Sequence, residues 1–106
     1  MKDLPQHLRE YRVKIMPAEY APPPAKYPDN LGYRTKFGGR PDLIQPTGDE
    51  EERRCSACFE PLHFIGQIDS FENDHPDPQF MFGDVGMIYV WFCFHCYTPS
   101  ATMECY

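Results

Sequence analysis

The alternation of apolar and polar residues is clearest in the second half of the chain, over residues 62–71 (LHFIGQIDSF). A period of two predicts a half-buried β-strand, because successive side chains of a strand point to opposite faces of its sheet. Leu62, Phe64 and Ile68 are predicted to share one face of this strand. The opposite face is predicted to carry His63, Ile65, Gln67 and Asp69.

Two more strands are predicted downstream. Residues 86–94 (GMIYVWFCF) are apolar on both faces, which is expected of a central strand covered on both sides. Residues 101–106 form the third predicted strand, after a turn at YTPS. Residues 72–84 are rich in Pro, Asp and Asn, so they are predicted to form a loop.

The first half of the chain has a different character. Residues 1–54 hold eight of the 12 prolines, and we interpret them as an extended arm packed on a β-domain formed by residues 55–106. Within the arm, the alternation of residues 11–16 (YRVKIM) predicts an edge strand. Residues 20–28 (YAPPPAKYP) predict a stiff polyproline II connector.

The five cysteines include two CxxC pairs separated by 34 residues. Two CxxC turns at one end of a β-hairpin can surround a zinc ion with a tetrahedron of thiolates. The separation exceeds the about 15–20 residues usual in such sites, and the predicted loop at 72–84 accounts for the excess. The sequence thus predicts a mainly β fold. It is a small antiparallel sheet with two zinc knuckles, that is, two CxxC turns that bind zinc, and this arrangement is similar to a zinc ribbon. The predicted zinc ligands are Cys55, Cys58, Cys93 and Cys96.

A zinc ion with four protein ligands has no open position for water or substrate, so this site is predicted to be structural. A redox-active pair and disulfides remain as alternatives. The redox alternative requires an accessible thiol of low pKa near positive charge, and no Lys or Arg follows Arg54. We interpret His95, inside the second pair, as an exposed turn residue. We interpret the fifth cysteine, Cys105, as packing within a strand.

Charge is divided unevenly along the chain. All ten Lys and Arg residues lie in residues 1–54, with nine acidic residues, for a net charge of +1. Residues 55–106 carry seven acidic residues and no Lys or Arg, for a net charge of −7. Such a surface attracts a basic partner and lacks the basic footprint of a nucleic-acid binder. A basic protein is therefore the expected partner, and an acidic surface that only aids solubility is the plainer interpretation.

Several function classes find no support in the sequence. No apolar run reaches membrane-spanning length, and MKDLPQHLRE lacks the apolar core of a secretion signal, so we expect a cytoplasmic protein without membrane association. There is no GxSxG, P-loop or dinucleotide-binding motif. The other candidate metal or acid–base residues match no EF-hand or HExxH spacing, so no enzymatic activity is expected. These residues are His63, Asp69, Asp74, His75, Asp77 and Asp84.

Residues 36–96 combine a GGxP turn (FGGRPD), a CxxC pair, a PLxFxxQ strand (PLHFIGQID) and an aromatic strand (YVWFCFHC). This combination resembles the YwqG-like domain of bacteria and the programmed cell death protein 2 family of eukaryotes. The resemblance implies a β-rich scaffold without catalytic residues and, in the eukaryotic family, a chaperone-like role in holding a basic ribosomal protein. Gly38 and Gly39 are themselves predicted to supply positive φ for a tight turn. The matching scaffold positions outside the four cysteines are Gly38, Gly39, Pro41, Pro61, Leu62, Phe64 and Gln67.

These observations predict a non-enzymatic, zinc-stabilised domain that binds a basic protein through an acidic surface, in a chaperone-like or immunity-like role. The alternative function is that of a thiol oxidoreductase using Cys93 and Cys96.

Overall fold

The computed structural model describes residues 4–20, 26, 29–30, 32–44, 53–71 and 78–105. These residues form one four-stranded antiparallel sheet whose strands lie in chain order. The strands are β1 (Lys36–Phe37), β2 (His63–Asp69), β3 (Met87–Cys93) and β4 (Thr98–Glu104). The helical structure in these ranges is limited to two 3-10 turns, Ala18–Tyr20 and Pro78–Phe80. The predicted mainly β class is confirmed.

A β-bulge interrupts β2 and reverses the faces predicted for its second half. The register shifts between Phe64 and Gly66, so Ile65 is the extra residue. One extra residue changes the phase of a strand, and every later side chain moves to the other face. Gln67 therefore shares the buried face of Phe64, whereas Ile68 lies on the opposite face and is 44% exposed. The prediction that Ile68 shares a face with Phe64 is wrong.

The sheet has an inner face that carries the core. We define this inner face by Phe64, Gln67, Asp69, Met87, Tyr89, Trp91 and Cys93. Its centre is the cluster of Met87, Tyr89 and Trp91, all buried side chains of β3. The partly buried apolar residues packed against this cluster are Leu43, Ile44, Leu62 and Phe64. The segments on either side of β1, residues 32–34 and 42–44 of the predicted arm, therefore contact the inner face.

The other side of the sheet is less covered. We define the outer face by Phe37, Ile68, Ile88, Val90, Phe92 and Met103. On β3 the residues of this face are only half-buried, while every residue of the inner face is buried. β3 is confirmed as a central strand of the sheet, but its outer residues are only half-buried, so among the described residues its burial is complete on the inner side alone.

β4 begins three residues earlier than predicted. The chain reverses at residues 94–97, within the second CxxC pair, and not at YTPS. Pro99 consequently lies inside the strand, opposite Phe92. A proline is tolerated here because β4 is an edge strand, in which every second residue points its backbone N–H away from the sheet.

Buried polar residues of β2 attach residues 32–44 to the sheet. The carboxylate of Asp69 accepts hydrogen bonds from the Arg34 guanidinium, at 2.9 Å from Nε and 2.6 Å from Nη2, and from the backbone amides of Gly32 and Arg34. The side chains of this ion pair are almost completely buried. Gln67 donates to the Arg34 carbonyl at 2.7 Å and accepts from the Asp42 amide at 2.9 Å. These contacts satisfy the polar groups that the bulge brings to the inner face.

Glycines allow this segment to approach β2. Gly38 and Gly39 both have φ of +73° in a bend of the chain, which confirms the predicted positive φ. Gly66 meets β1 without a side chain, since a Cβ there would lie 2.6 Å from the Lys36 carbonyl oxygen.

The predicted edge strand at residues 11–16 is wrong. These residues form no strand, and Val13 and Ile15 are exposed. The arm instead contacts the turn after β2, where the Tyr11 ring packs edge-on against Phe71 at 5.4 Å between centroids. The edge strand that pairs with β2 is β1. The polyproline prediction for residues 20–28 falls mostly outside the described residues, and the domain boundary at residue 54 stays a prediction.

Replacing Asp69 by alanine should lower the free energy of unfolding by about 3–5 kcal/mol, because it leaves the buried Arg34 guanidinium without its carboxylate. Chemical denaturation monitored by circular dichroism measures this change. Asp84→Ala is the matched control, since Asp84 is exposed, and it should change stability by less than about 0.5 kcal/mol. Equal effects of the two substitutions would contradict the role assigned to the buried ion pair.

Candidate metal centre

The four cysteines of the two CxxC pairs converge at one end of the sheet. Their sulfur atoms all lie within 4.8 Å of one another. The Sγ atoms of Cys55 and Cys96 are 3.5 Å apart, and those of Cys58 and Cys93 are also 3.5 Å apart. Each close contact therefore joins one pair to the other. The predicted ligand set is brought together, and it can hold a metal ion.

The pairing of β2 with β3 explains this convergence. β2 begins at His63 opposite Phe92, so the chain entering β2 and the chain leaving β3 lie at the same end of the sheet. The first pair precedes β2 in a short hairpin, in which Cys55 N donates to the Glu60 carbonyl at 2.8 Å. The second pair forms the turn between β3 and β4. Antiparallel pairing thus brings together sulfur atoms that are distant in sequence.

We call these two turns the knuckles (residues 55–59 and 93–97). They have the same backbone geometry. In the first, Phe59 N donates to the Cys55 carbonyl at 2.9 Å, and in the second, Tyr97 N donates to the Cys93 carbonyl at 2.8 Å. Each knuckle ends in a residue with positive φ, 64° at Phe59 and 61° at Tyr97. This conformation is strained for an aromatic residue. The shared pattern Cys-x-x-Cys-aromatic, in CSACF and CFHCY, is the sequence signal for this geometry, and the predictions above do not include it.

The pKa values of Cys55 and Cys58 are shifted in opposite directions. Hydrogen bonds from the backbone amides of Cys58 and Ala57, the second at 3.4 Å from Sγ, lower the pKa of Cys55 to about 6 against the effect of burial. The backbone hydrogen bond at Glu60 favours the Cys58 thiolate, but burial and the other three thiols together raise the pKa of Cys58 to about 12. Adjacent thiols resist a second negative charge without a cation between them. The cluster is thus electrostatically suited to a cation.

The geometry also fits a tetrahedral thiolate site. Four sulfur atoms about 2.3 Å from a central ion are about 3.8 Å apart, close to the 3.5 Å contacts seen here. Thr98 contributes a further contact, with its hydroxyl oxygen 3.0 Å from Cys96 Sγ. When bound, an ion there would be held by Cys55, Cys58, Cys93 and Cys96, and it would cross-link the two knuckles.

Other candidate residues stand apart from the cluster. His95 is exposed in the second knuckle, as predicted. Cys105 follows β4 and lies beside the turn that contains Gly83 and Gly86, outside the group of four sulfurs. Asp69 is occupied by Arg34, and the exposed His63 packs against the Phe94 ring. Asp84 is exposed and lies outside the group of four sulfurs, and the remaining candidates, Asp74, His75 and Asp77, lie outside the described residues.

Comparison with known proteins identifies no relative. No family model matches the chain, and no curated protein or solved structure is significantly similar to it. Within the described ranges, no helix combines the length and hydropathy needed to cross a membrane.

Binding of Zn²⁺ to the metal-free chain should release protons, because the metal replaces protons on sulfur. Cys58 is protonated at neutral pH, and Cys55 also becomes protonated as the pH falls through about 6. The number of protons released per ion should therefore rise by about one between about pH 7 and pH 5, and the affinity should fall steeply over this range. Titration in weak buffer with a pH indicator measures the release.

Cys105→Ser should leave this titration unchanged, whereas Cys58→Ser should release fewer protons and bind the ion more weakly. A release that is independent of Cys58 would contradict the assigned ligand set.

Proposed function

We propose that the chain is a non-enzymatic domain, stabilised by a structural zinc ion, that binds a basic protein partner. Four thiolate donors in a closed tetrahedral arrangement suit zinc better than the hard cations that prefer oxygen. All four positions around the ion belong to the protein, which is the arrangement of structural rather than catalytic zinc sites. The resemblance to the YwqG-like domain and the programmed cell death protein 2 family agrees with this proposal.

The observation that carries the protein-binding part is a set of exposed and half-buried apolar residues across the outer face. The outer face extends onto the second knuckle, where Phe94 packs against Phe92 at 4.9 Å and Tyr97 lies 6.3 Å from the same ring. Phe37, Ile68 and Met103 are exposed on three different strands of this face. Large contiguous apolar surfaces are uncommon on isolated proteins and usually mark interaction sites.

The aromatic residues that end the knuckles support the same function. Phe59 is 77% exposed and Tyr97 is 74% exposed, so burial does little to offset their strained backbone. Glycine would adopt this conformation without strain. Strained and exposed aromatic side chains are a cost to the isolated fold, and contact with a partner accounts for their presence.

Charge indicates the kind of partner. Three of the four strands come from residues 55–106, which contain no Lys or Arg, and the exposed acidic residues described there are Glu60 and Asp84. A partner with an apolar centre and a rim of Lys and Arg would complement this surface. A chaperone-like protein that covers a basic client, or an immunity-like protein that covers a basic toxin, would use such a surface.

One observation favours a second candidate function. The lowered pKa of Cys55 is a property of redox-active thiols, which supports the alternative of a thiol oxidoreductase. However, Cys55 is only 2% exposed, and the proposed pair of this alternative, Cys93 and Cys96, includes the buried Cys93. A mixed disulfide trapped with a Cys58→Ser or Cys96→Ser variant, in which the attacking Cys55 or Cys93 thiol is kept and the resolving thiol is removed, would favour the oxidoreductase over the binding domain.

The double substitution Phe59→Gly and Tyr97→Gly should separate binding from folding. It removes positive-φ strain, so the free energy of unfolding should stay equal or rise by up to about 1 kcal/mol. Affinity capture with quantitative mass spectrometry should show basic proteins that the wild-type chain retains at low salt and loses at high salt. The double variant should lose the same proteins.

Tyr20→Ala is the matched control, because Tyr20 is an equally exposed aromatic residue of the arm. It should retain the captured proteins. Capture that is identical for the double variant and the wild type, or that is insensitive to salt, would contradict the proposal.

A further inference from the structure

A pocket of about 340 Å³ lies beside the first knuckle, between the hairpin that precedes β2 and the start of β4. It is lined by Arg53, Arg54, Cys55, Ser56, Leu62, Thr98, Pro99 and Ser100. This volume falls within the range of small-molecule sites. The pocket opens on the inner side of the sheet, since Thr98 and Ser100 pair with Cys93 and Trp91 of the inner face. It is therefore distinct from the outer face proposed to bind a protein.

Arg53 supplies a held guanidinium at this pocket. Its Cζ atom lies 5.4 Å from the centre of the Trp91 ring, so the cation rests on the aromatic ring. The Nε atom of Arg53 is buried and has no hydrogen-bond acceptor, and the same is true of Trp91 Nε1. Both of these atoms are buried and Trp91 does not line the pocket, so what Arg53 offers to a ligand there is the rest of its half-buried guanidinium.

The remaining lining is rich in donors. Arg54 is exposed, and its described hydrogen bond is a long one, 3.5 Å from Nη1 to the Phe59 carbonyl. Ser56 and Ser100 add hydroxyl groups, whereas the Thr98 hydroxyl is engaged with Cys96. Among the described residues that line the pocket there is no Asp or Glu. The pocket thus offers two guanidinium groups and two hydroxyls to an acceptor-rich ligand.

We propose that this pocket binds the phosphate group of a small phosphomonoester. A phosphate has three terminal acceptor oxygens, and guanidinium groups pair with such oxygens through two parallel hydrogen bonds. A carboxylate has only two oxygens and would leave more of these donors unpaired. The volume exceeds that of a phosphate ion alone, so there is room for a small organic group beside Leu62 and Pro99.

The neighbouring cysteines set a condition on this binding. A zinc ion with four thiolates carries a net charge of about −2, which opposes an anion beside Cys55. Arg53 and Arg54 offset this charge, so loss of either should weaken phosphate binding strongly. The proposal requires neither the protein partner nor the outer face.

Trp91 is the single tryptophan of the chain, so its fluorescence reports on the Arg53 guanidinium above it. The full chain as purified is titrated with inorganic phosphate, O-phosphoserine and succinate at constant ionic strength set with potassium chloride. We expect a saturable change with phosphate and phosphoserine, and an affinity for succinate that is weaker by at least about tenfold.

Variants assign the response to the pocket. Arg54→Gln and Arg53→Lys should each weaken phosphate binding by about tenfold or more, since each removes a charge-assisted or bidentate contact. Arg40→Gln, at an exposed arginine outside the pocket, should bind as the wild type does. Arg54 is exposed, so the fold of its variant should be intact, and circular dichroism verifies this.

Absence of a saturable response to phosphate, an equal response to succinate, or unchanged binding by Arg54→Gln would overturn the proposal. A further outcome is that phosphate has no effect on either the wild-type chain or Arg54→Gln, while Arg54→Gln retains zinc less well than the wild type. In that case the two arginines act only as counter-ions of the metal centre. That result would overturn the phosphate site and leave the proposed protein-binding function intact.

Discussion

The convergence of four sulfur atoms at one end of a small sheet is the constraint on which this structure depends. Within the described part of the chain, the core cluster contains three buried side chains, all from β3. The two knuckles lie where β2, β3 and β4 begin or end, so a cross-link between them fixes the register of three strands at once. A chain of 106 residues buries a modest part of its surface, so its core supplies little folding free energy. The binding of a metal ion can add to this folding free energy. The opposed pKa shifts of Cys55 and Cys58 show that the four thiols do not ionise together without a cation, so the cluster is compatible with a bound metal ion.

The residues that pack against the sheet contact its inner face. A single bulge at Ile65 turns Gln67 and Asp69 inward, and their hydrogen bonds attach residues 32–44 over the core. The same bulge turns Ile68 outward, next to the apolar residues of β3 and β4. One local irregularity therefore produces both the polar attachment inside and the apolar outer face. The metal centre, the pocket and the outer face are neighbours, and the proposed functions use different sides of one sheet.

Spacing and periodicity were sufficient to predict the mainly β class, the central strand and the four-cysteine cluster, because a CxxC turn and a period of two are local signals. The bulge was missed although FIGQ contains Gly66, and a glycine inside a strand often marks a bulge; which residue is inserted follows only from the partner strand. The arm was misjudged because alternation alone does not show which segment pairs: residues 11–16 alternate but form no strand, whereas Lys36 and Phe37 pair with β2, where Gly66 lets β1 approach. The start of β4 was missed because Pro99 suggested a turn, and the edge position that permits it is a tertiary property.

The most direct test of the central claim is the stability of the chain before and after its metal is removed by a chelator. Elemental analysis of the purified protein establishes the metal content, and thermal unfolding followed by circular dichroism compares the two states. The account predicts about one zinc ion per chain and loss of the cooperative unfolding transition after chelation, which returns when zinc is restored. A metal-free chain that unfolds with the same cooperative transition and the same midpoint as the purified protein would contradict it.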